Sequence, residues 1–463
     1  MVLENQKKNA DIPLFVADSG DALWKSDRIP DPTLPQQKVK ASLILDAMAL
    51  EGIDAMTPGE GDFALGVDWY MEQVKARSLP VLSANLTCGG QAPFPATRRV
   101  ERGGVTLGFT AVLDPKLSPT GCEASDPTDA VKRAIGELGK VDVLIVLTHL
   151  DRGGDEELAD AVSDIDLVVT GHNRLLNGGP KTLPGDALQL GAGSRGRQVG
   201  VATVQLIAGA SGFAASSQVD EIDERLDRAQ KRLADLEKRQ ASATGPLADR
   251  LEAQHKNYQG EVDRLTEQLE SAKAELKAPH NKLSNEMYTL GTDVADEPRT
   301  RALLDTAKEA ITKLESSAAV ELAATGGREG SEFLGALSCQ GCHPAEFTQW
   351  SSTPHATAWA TLQSANRAMD RDCFGCHATG VGDPGGPTAP NEVGELANVQ
   401  CEACHGPGRS HAAGPAKGQM LPRPPAHLCT KCHDGIKDEG RFDPEAYMPK
   451  VAHGEASGQP ATP

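Results

Sequence analysis

The stretch CEACHGPGRSHAAG, Cys401–Gly414, joins two cysteines two residues apart to an immediately following histidine, His405. A Gly-Pro-Gly break comes next, and then a second histidine, His411. The first five residues are a repeating frame. Cys339-Gln-Gly-Cys342-His343, Cys373-Phe-Gly-Cys376-His377 and Cys429-Thr-Lys-Cys432-His433 copy it. Of the ten cysteines in the chain, eight sit in these four units, so one chemistry has to account for most of the sulfur.

C-x-x-C-H is the attachment signature of c-type haem. Two thiols at this spacing form thioether bonds to one porphyrin, and the next residue offers its imidazole to the iron. Two other readings stay open at this point. Paired cysteines also build zinc sites, and eight cysteines could form a disulfide framework. Neither needs a histidine fixed after every second cysteine, so four haem c groups are the leading expectation. Cys339, Cys342, Cys373, Cys376, Cys401, Cys404, Cys429 and Cys432 would carry the thioethers. His343, His377, His405 and His433 would be the proximal ligands.

Histidine content supports this. From Ser331 onward there are eight histidines, whereas the preceding 330 residues hold the other four of the twelve. Four of the eight are consumed as proximal ligands. His355, His411, His427 and His453 remain, one for each haem, and are candidate distal ligands. The Gly406-Pro407-Gly408 break lets His411 turn away from its own attachment segment and serve a haem other than the one at His405. His355 follows Pro354 at a predicted helix start with Thr353 as N-cap. It shares a helical face with Trp359 and Leu362. His427 lies too close to Cys429 to reach round the same haem and would serve a neighbour.

The run QW…HATAW, CFGCHATG, CEACHGPGRSH, CTKCH, over about residues 335–453, resembles the tetrahaem cytochrome c family that includes the electron acceptor of hydroxylamine oxidoreductase. The resemblance implies closely stacked haems, mostly with two histidine ligands, and sometimes one haem with an open site. It implies other redox proteins or respiratory-chain cytochromes as partners.

Composition bounds the rest. The chain has 463 residues, room for two or three domains. Its formal charge of −19 argues against a nucleic-acid partner. Aromatic residues are only 4%, so residues 333–463 cannot build an ordinary core, and porphyrin would have to supply the buried apolar surface. No apolar run is long enough for an integral membrane span. MVLENQKKNADIP has no apolar core of a signal peptide. Covalent haem attachment takes place outside the bacterial cytoplasm, so a periplasmic or extracellular protein is expected, its signal removed or its N-terminus incomplete.

Residues 1–215 alternate two patterns. PLFVAD, IDAMTP, PVLSANL, VTLGFTAVL, VDVLIVLTHL, IDLVVTGH and RQVGVATVQLI predict strands. PQQKVKASLILDAMALEG, PTDAVKRAIGELG and DEELADAVSD predict amphipathic helices. An α/β layered fold follows. Asp21, Glu60, His149 and His172 each fall just after a predicted strand, where carboxylates and imidazoles can ligate metal.

DSGD, DAMTPGEGDFALG, PVLSANL, VLTHLD and DLVVTGHN, over about residues 11–207, resemble the 5′-nucleotidase branch of the calcineurin-like metallophosphoesterases. That family implies a β-sandwich flanked by helices around a dinuclear centre. The chain departs from it. The first strand with its D-x-H pair is missing. G-N-H-E is replaced by Gly59-Glu60-Gly61-Asp62, and G-H-x-H by Gly171-His172-Asn173-Arg174. Asp21, His149 and His172 remain as a residual metal site for at most one divalent ion. The expectation is therefore a scaffold without two-metal hydrolysis; an active nucleotidase is the alternative. Cys88 and Cys122, outside the haem units, are expected to pair.

From Val219 to Leu276, apolar residues recur at alternating spacings of four and three (Ile222, Leu226, Ala229, Leu233, Leu236, then Leu251 to Leu276). This predicts an antiparallel helical hairpin with a coiled-coil seam and a solvated charged face, with His255 and His280 as surface residues. The expected organisation is thus multidomain. A metallophosphoesterase-like α/β domain over 1–215 precedes the hairpin over 216–280. A helical connector with a Gly-rich linker covers 281–332, and a mostly helical or irregular tetrahaem cytochrome c domain covers 333–463. The expected function is electron transfer. The alternatives are a haem enzyme acting on a small nitrogen or oxygen species at an open iron, and a phosphoesterase with a redox relay.

Overall fold

The computed structural model describes residues 2–8, 12–24, 26, 28–172, 180–210, 212–240, 245–275, 280–323, 331–414, 420–435, 438 and 440–453. Asn173, Arg174 and most of the Gly-rich linker lie outside them. The chain divides into two compact units. The first is Met1–Ile29 with Ile44–Thr300, and the second is Pro30–Leu43 with Arg301–Pro463.

In the first unit, chain order runs α1 (Val2–Lys7), β1 (Ala17–Asp18), α2 (Leu34–Glu51, whose first ten residues belong to the second unit), β2 (Ala55–Met56), α3 (Val67–Ala76) and β3 (Leu86–Cys88). β4 (Thr97–Arg102), β5 (Val105–Leu113), β6 (Cys122–Ala124), α4 (Pro127–Leu138), β7 (Val143–His149), α5 (Gly154–Ala161) and β8 (Leu167–Thr170) follow. After β9 (Lys181–Thr182), β10 (Leu188–Leu190), β11 (Gln198–Gln205) and β12 (Phe213–Ala215) come the long helices α6 (Ser216–Gln240) and α7 (Pro246–Glu275), then β13 (Asn281–Thr289).

The main sheet has the order β4-β5-β7-β8-β10-β9, with β5, β7, β8 and β10 mutually parallel. Every residue of β7 is buried, and its alternation explains why. Val143, Ile145 and Leu147 enter one core cluster, whereas Leu144 and Val146 enter the other. A strand covered on both faces reads as a continuous apolar run. One cluster packs helices α4 and α5 against the sheet through Val131, Leu138 and Leu158. The other brings Phe213 and Leu283, from the three-stranded sheet β11-β13-β12, against Phe109 and Leu147. α4 starts at Pro127 behind the N-cap Asp126, whose side chain accepts from Asp129 N at 2.9 Å, as the sequence pattern predicts.

Three predicted strands keep only a short paired piece. In PLFVAD only Ala17–Asp18 pairs, in IDAMTP only Ala55–Met56, and PVLSANL enters β3 only at Leu86, with an isolated bridge at Val81. The larger difference is Asn281–Thr289. The sequence reading placed it in a helical connector, yet it is a nine-residue strand. It pairs antiparallel with Gln198–Gln205 and parallel with Phe213–Ala215. Asn, Lys, Ser and Glu are poor strand formers, and here cross-strand partners override propensity. α6 and α7 therefore form a crossover between two neighbouring strands of one sheet. Ile222 shares a cluster with Ala272, and Glu237 meets His255, so the two helices run antiparallel.

Cys88 and Cys122 sit opposite each other where β3 pairs with β6, and they form a disulfide. The bond spans 34 residues, which corresponds to about 4 kcal/mol of denatured-chain entropy. The Cys88→Ser/Cys122→Ser double variant should lose about that much unfolding free energy in a denaturant titration. An unchanged midpoint and slope would contradict this account.

The second unit holds the helices α8 (most of Pro298–Ala323), α9 (Ala336–Cys339), α10 (Pro344–Ser351), α11 (Ala358–Ser364), α12 (Arg371–His377), α13 (Cys401–His405), α14 (Arg409–Ala413) and α15 (Pro444–Val451). No strand occurs among its described residues. Among its described residues, Phe374, Ala378 and Val393 form an apolar cluster with Trp359, Val381 and Ala397 against them.

Candidate functional sites

Each C-x-x-C-H unit is wound as about one helical turn. His343 N donates to Cys339 O, and His433 N to Cys429 O, both at 2.9 Å. Positions i, i+3 and i+4 then share one face, so both thiols and the imidazole are presented together. The third unit is anchored by a residue that sequence reasoning passed over. Glu402 is 2% exposed. Its carboxylate accepts from Leu334 N, Gly335 N and Gly408 N at 2.7 to 3.1 Å. Gly406, at φ 87°, ends α13, so the Gly-Pro-Gly break is a turn pinned by Glu402. A glutamate between two attachment cysteines carries no motif, and its role exists only once residues 334–335 return to it.

Three pairs of imidazoles face each other. The His343 and His411 rings lie 6.3 Å apart between centroids, at 30°. For His405 and His453 the values are 6.0 Å and 17°, and for His355 and His433 they are 6.4 Å and 53°. The hydrogen bonds orient these rings. His405 Nδ1 is 2.6 Å from Leu421 O, and His453 Nδ1 is 3.1 Å from Gln349 Oε1. With Nδ1–H donated in both cases, each Nε2 lone pair is available to a metal. His377 Nδ1 likewise meets Ala358 O at 2.6 Å. Among the described residues no ring contact pairs another imidazole with His377 or with the exposed His427. His355 lies in a short 3-10 turn, Pro354–Thr357, and the expected Thr353 side-chain cap is absent. Thr353 Oγ1 instead donates back to Trp350 O at 2.7 Å.

The donor set fits haem. A metal between two imidazoles lies about 2 Å from each nitrogen, which places ring centroids about 6 Å apart. All three pairs have that spacing, and each joins a histidine of a C-x-x-C-H unit to one outside the units.

The first unit brings a different set together. Asp21 follows β1, Glu60 follows β2, His149 ends β7 and His172 follows β8. All four stand at the C-terminal ends of parallel strands, where α/β sheets bind ligands. One donor atom from each lies within 4.8 Å of the others, and among the described residues this is the one group of three or more such donors. His149 Nε2 is 2.8 Å from Glu60 Oε2 and 3.4 Å from Asp21 Oδ2, while His172 Nδ1 is 3.4 Å from Glu60 Oε1. His149 Nδ1 is held by Ser19 O at 2.8 Å. Burial opposes charging His149, but the two carboxylates outweigh it and raise its pKa to about 10. Two carboxylates and two imidazoles with donor atoms this close are a donor set that a divalent cation fits.

Two features shape this pocket. Gly59 and Gly171 leave no room for a side chain, since a Cβ at either would run into the His149 ring. Asp62, 1% exposed, accepts from Asp21 N, Leu23 N and Gly59 N. It ties the Asp21 loop to the Glu60 loop. Burial first, and Asp21 and Asp18 after it, push the Asp62 carboxyl up to about 7. Glu60 was not counted among the residual ligands in the sequence reading, because it stands where the resembling family has asparagine. The geometry makes it a fourth donor. Gly61 occupies the position of the missing histidine, and its N–H donates to Asp21 Oδ1 at 2.8 Å.

Residues 338–406, which contain the first three C-x-x-C-H units, match the model of the family described as Cytochrome c554 and c-prime. Cytochrome c-554 of Nitrosomonas europaea is 36% identical over 93 residues, 17% of this chain and 40% of that protein. The apyrase of Tabanus yao is 30% identical over 138 residues, 27% of this chain and 25% of that protein. The chain therefore spans less than half the length of either relative. Among solved structures, the sulfate thiohydrolase SoxB of Thermus thermophilus is similar at a TM-score of 0.39 and 19% identity, over 44% of this chain and 38% of that one. A 5′-nucleotidase precursor from the same species is similar at 0.38 and 22%, over 44% of each chain. YfkN of Bacillus subtilis, a calcineurin-like phosphoesterase, is similar at 0.36 and 17%, over 43% of this chain and 73% of that one. Among the described residues, no helix is long and apolar enough to cross a membrane.

Proposed function

We propose that the chain is an exported electron-transfer protein with four haem c groups, joined to a phosphoesterase-like unit that binds one metal ion and does not hydrolyse nucleotides. The observation that carries the haem reading is the set of three imidazole pairs at 6.0 to 6.4 Å. His343 with His411, His405 with His453, and His355 with His433 would each hold one iron from both sides. Bound haem supplies one-electron chemistry between ferric and ferrous iron. The protein's residues do the remaining work. The cysteines fix each ring covalently, the Nδ1 hydrogen bonds hold each imidazole in one tautomer, and the attachment turns bring the units close together in one compact body. Other redox proteins are the expected partners, in the periplasm or outside the cell.

A second reading has one observation in its favour. His377 has no imidazole partner among the described residues, so the iron it holds would keep an open position. Such a site could bind a small nitrogen or oxygen species. Optical and electron paramagnetic resonance spectra separate the readings: an entirely low-spin protein excludes the enzyme.

The haem count has a direct test. The denatured protein, made in a host that matures c-type haem, should exceed the polypeptide mass by four haem groups. Protein that carries zinc and no covalent porphyrin would end this proposal.

A further inference from the structure

The start of α2 lies more than 300 residues before the second haem attachment segment, yet it shares a compact unit with it. The segment Asp370-Arg371-Asp372 directly precedes Cys373. Gln36, 1% exposed, donates from Nε2 to Asp370 Oδ1 at 2.9 Å and accepts from Arg371 N at 2.9 Å. Lys40 Nζ lies 2.6 Å from Asp370 Oδ1 and 2.6 Å from Asp372 Oδ2. Gln37 Nε2 adds a contact to Asp372 at 3.2 Å. Arg367 Nη2 meets the other oxygen of Asp370 at 2.9 Å, and Arg371 is engaged with Glu315.

This is more than a surface ion pair. The Asp370 side chain is 6% exposed, and Lys40 and Asp372 are each 22% exposed. Water screens such charges weakly, so they act on neighbours over longer distances. Asp370 also caps the helix that carries the attachment cysteines, its side chain accepting from Asp372 N at 3.0 Å three residues before Cys373. Helix α12 carries Cys373, Cys376 and His377 as one rigid element, so whatever fixes its N-terminus also fixes the proximal imidazole.

We infer that the first turns of α2 are part of the second haem site, and that Lys40 is a positioning residue that sets the potential of the iron held by His377 by compensating Asp370 and Asp372. The inference rests on the haem reading above. With Lys40 neutral, Arg367 still faces Asp370 and Asp372, and the net negative charge left beside the attachment segment favours the ferric over the ferrous iron. With Asp372 neutral, Lys40 is overcompensating and the ferrous state gains. Neither effect extends to the other three haems, whose attachment segments do not carry this cluster.

The test is a spectroelectrochemical titration of the full-length holoprotein, in which the haem at His377 is followed by its high-spin signal. Lys40→Met should lower the midpoint of that component alone. The expected change is about tenfold in the ferric-to-ferrous ratio at the wild-type midpoint, or about 59 mV for a one-electron couple. Asp372→Asn, a milder change, should raise the same component. The Lys40→Met/Asp372→Asn double variant should return it toward wild type. Four haems with unchanged midpoints in Asp372→Asn overturn the inference, whatever Lys40→Met does. So does a shift shared equally by all four haems. A haem count below four in the wild type would instead remove the haem reading on which it rests, and an entirely low-spin protein would remove the open position at His377.

Discussion

His411→Ala should leave four covalent haems in place and convert one of them from a low-spin, six-coordinate state to a high-spin or water-bound one. The reason is the pairing of His411 with His343 at 6.3 Å. Loss of one imidazole leaves the thioethers at Cys339 and Cys342 untouched but removes a strong-field ligand from that iron. His411 lies on α14, and α14 is placed by Arg409 N donating to Glu332 O at 3.0 Å and by the Glu402-pinned turn before it. The backbone should therefore survive the substitution. The potential of the altered haem should rise, because a neutral nitrogen donor stabilises ferric iron more than water does. Electron paramagnetic resonance and optical spectra read the spin state, and mass spectrometry reads the haem count. An unchanged low-spin spectrum would mean that His411 does not ligate iron. A count of three would mean that it serves folding or haem attachment instead. His427→Ala, by contrast, should change neither spectrum nor count, since His427 is exposed and stacks on no imidazole among the described residues.

The second large effect concerns the first unit. Apart from haem iron, the protein should bind one divalent ion per chain, and His149→Ala should weaken that binding by at least about hundredfold. His149 is 0% exposed and touches both carboxylates of the cluster, so no neighbouring side chain can replace it. Glu60→Asn, which restores the residue of the resembling phosphoesterases, should keep the site but weaken it, because one negative charge is lost. Calorimetry with manganese or zinc and elemental analysis measure both variants. Hydrolysis of nucleotide monophosphates should stay at background in the wild type. A second metal needs further donors, and Gly61 offers none. Two non-haem ions per chain, or hydrolysis that disappears in His149→Ala, would overturn this reading.

These predictions draw on two kinds of information. The four units at which haem attachment is proposed were legible because C-x-x-C-H is a local device. Two thiols and an imidazole have to reach one porphyrin from within five residues, so their spacing is written in the chain. The helices α4 and α5 and the strands β5 and β7 were legible for a similar reason: caps and apolar periodicity act over a few residues. Cys88 and Cys122 could be proposed as partners because eight of the ten cysteines were already used.

Other features lay beyond local reading. β13 is polar, and it is a strand only because β11 and β12 supply its hydrogen bonds. Helix α2 looked like part of the N-terminal domain. Its first turns instead meet Asp370 and Asp372, because buried carboxylates need Lys40 and Gln36 as partners. Glu402 had no motif and Glu60 stood where the resembling family has asparagine, and each gained its role from chain segments distant in sequence.

The sequence by itself determined the four C-x-x-C-H units at which haem is expected, the histidine within each and which strands run through the α/β core, because each of these is a short-range constraint of covalent reach or side-chain periodicity. Only the tertiary structure decided which imidazole faces which, and which of them faces none. That choice depends on turns such as Gly406–Gly408, on backbone acceptors such as Leu421 O and Ala358 O, and on the buried carboxylates that draw remote segments together, and no spacing along the chain encodes it.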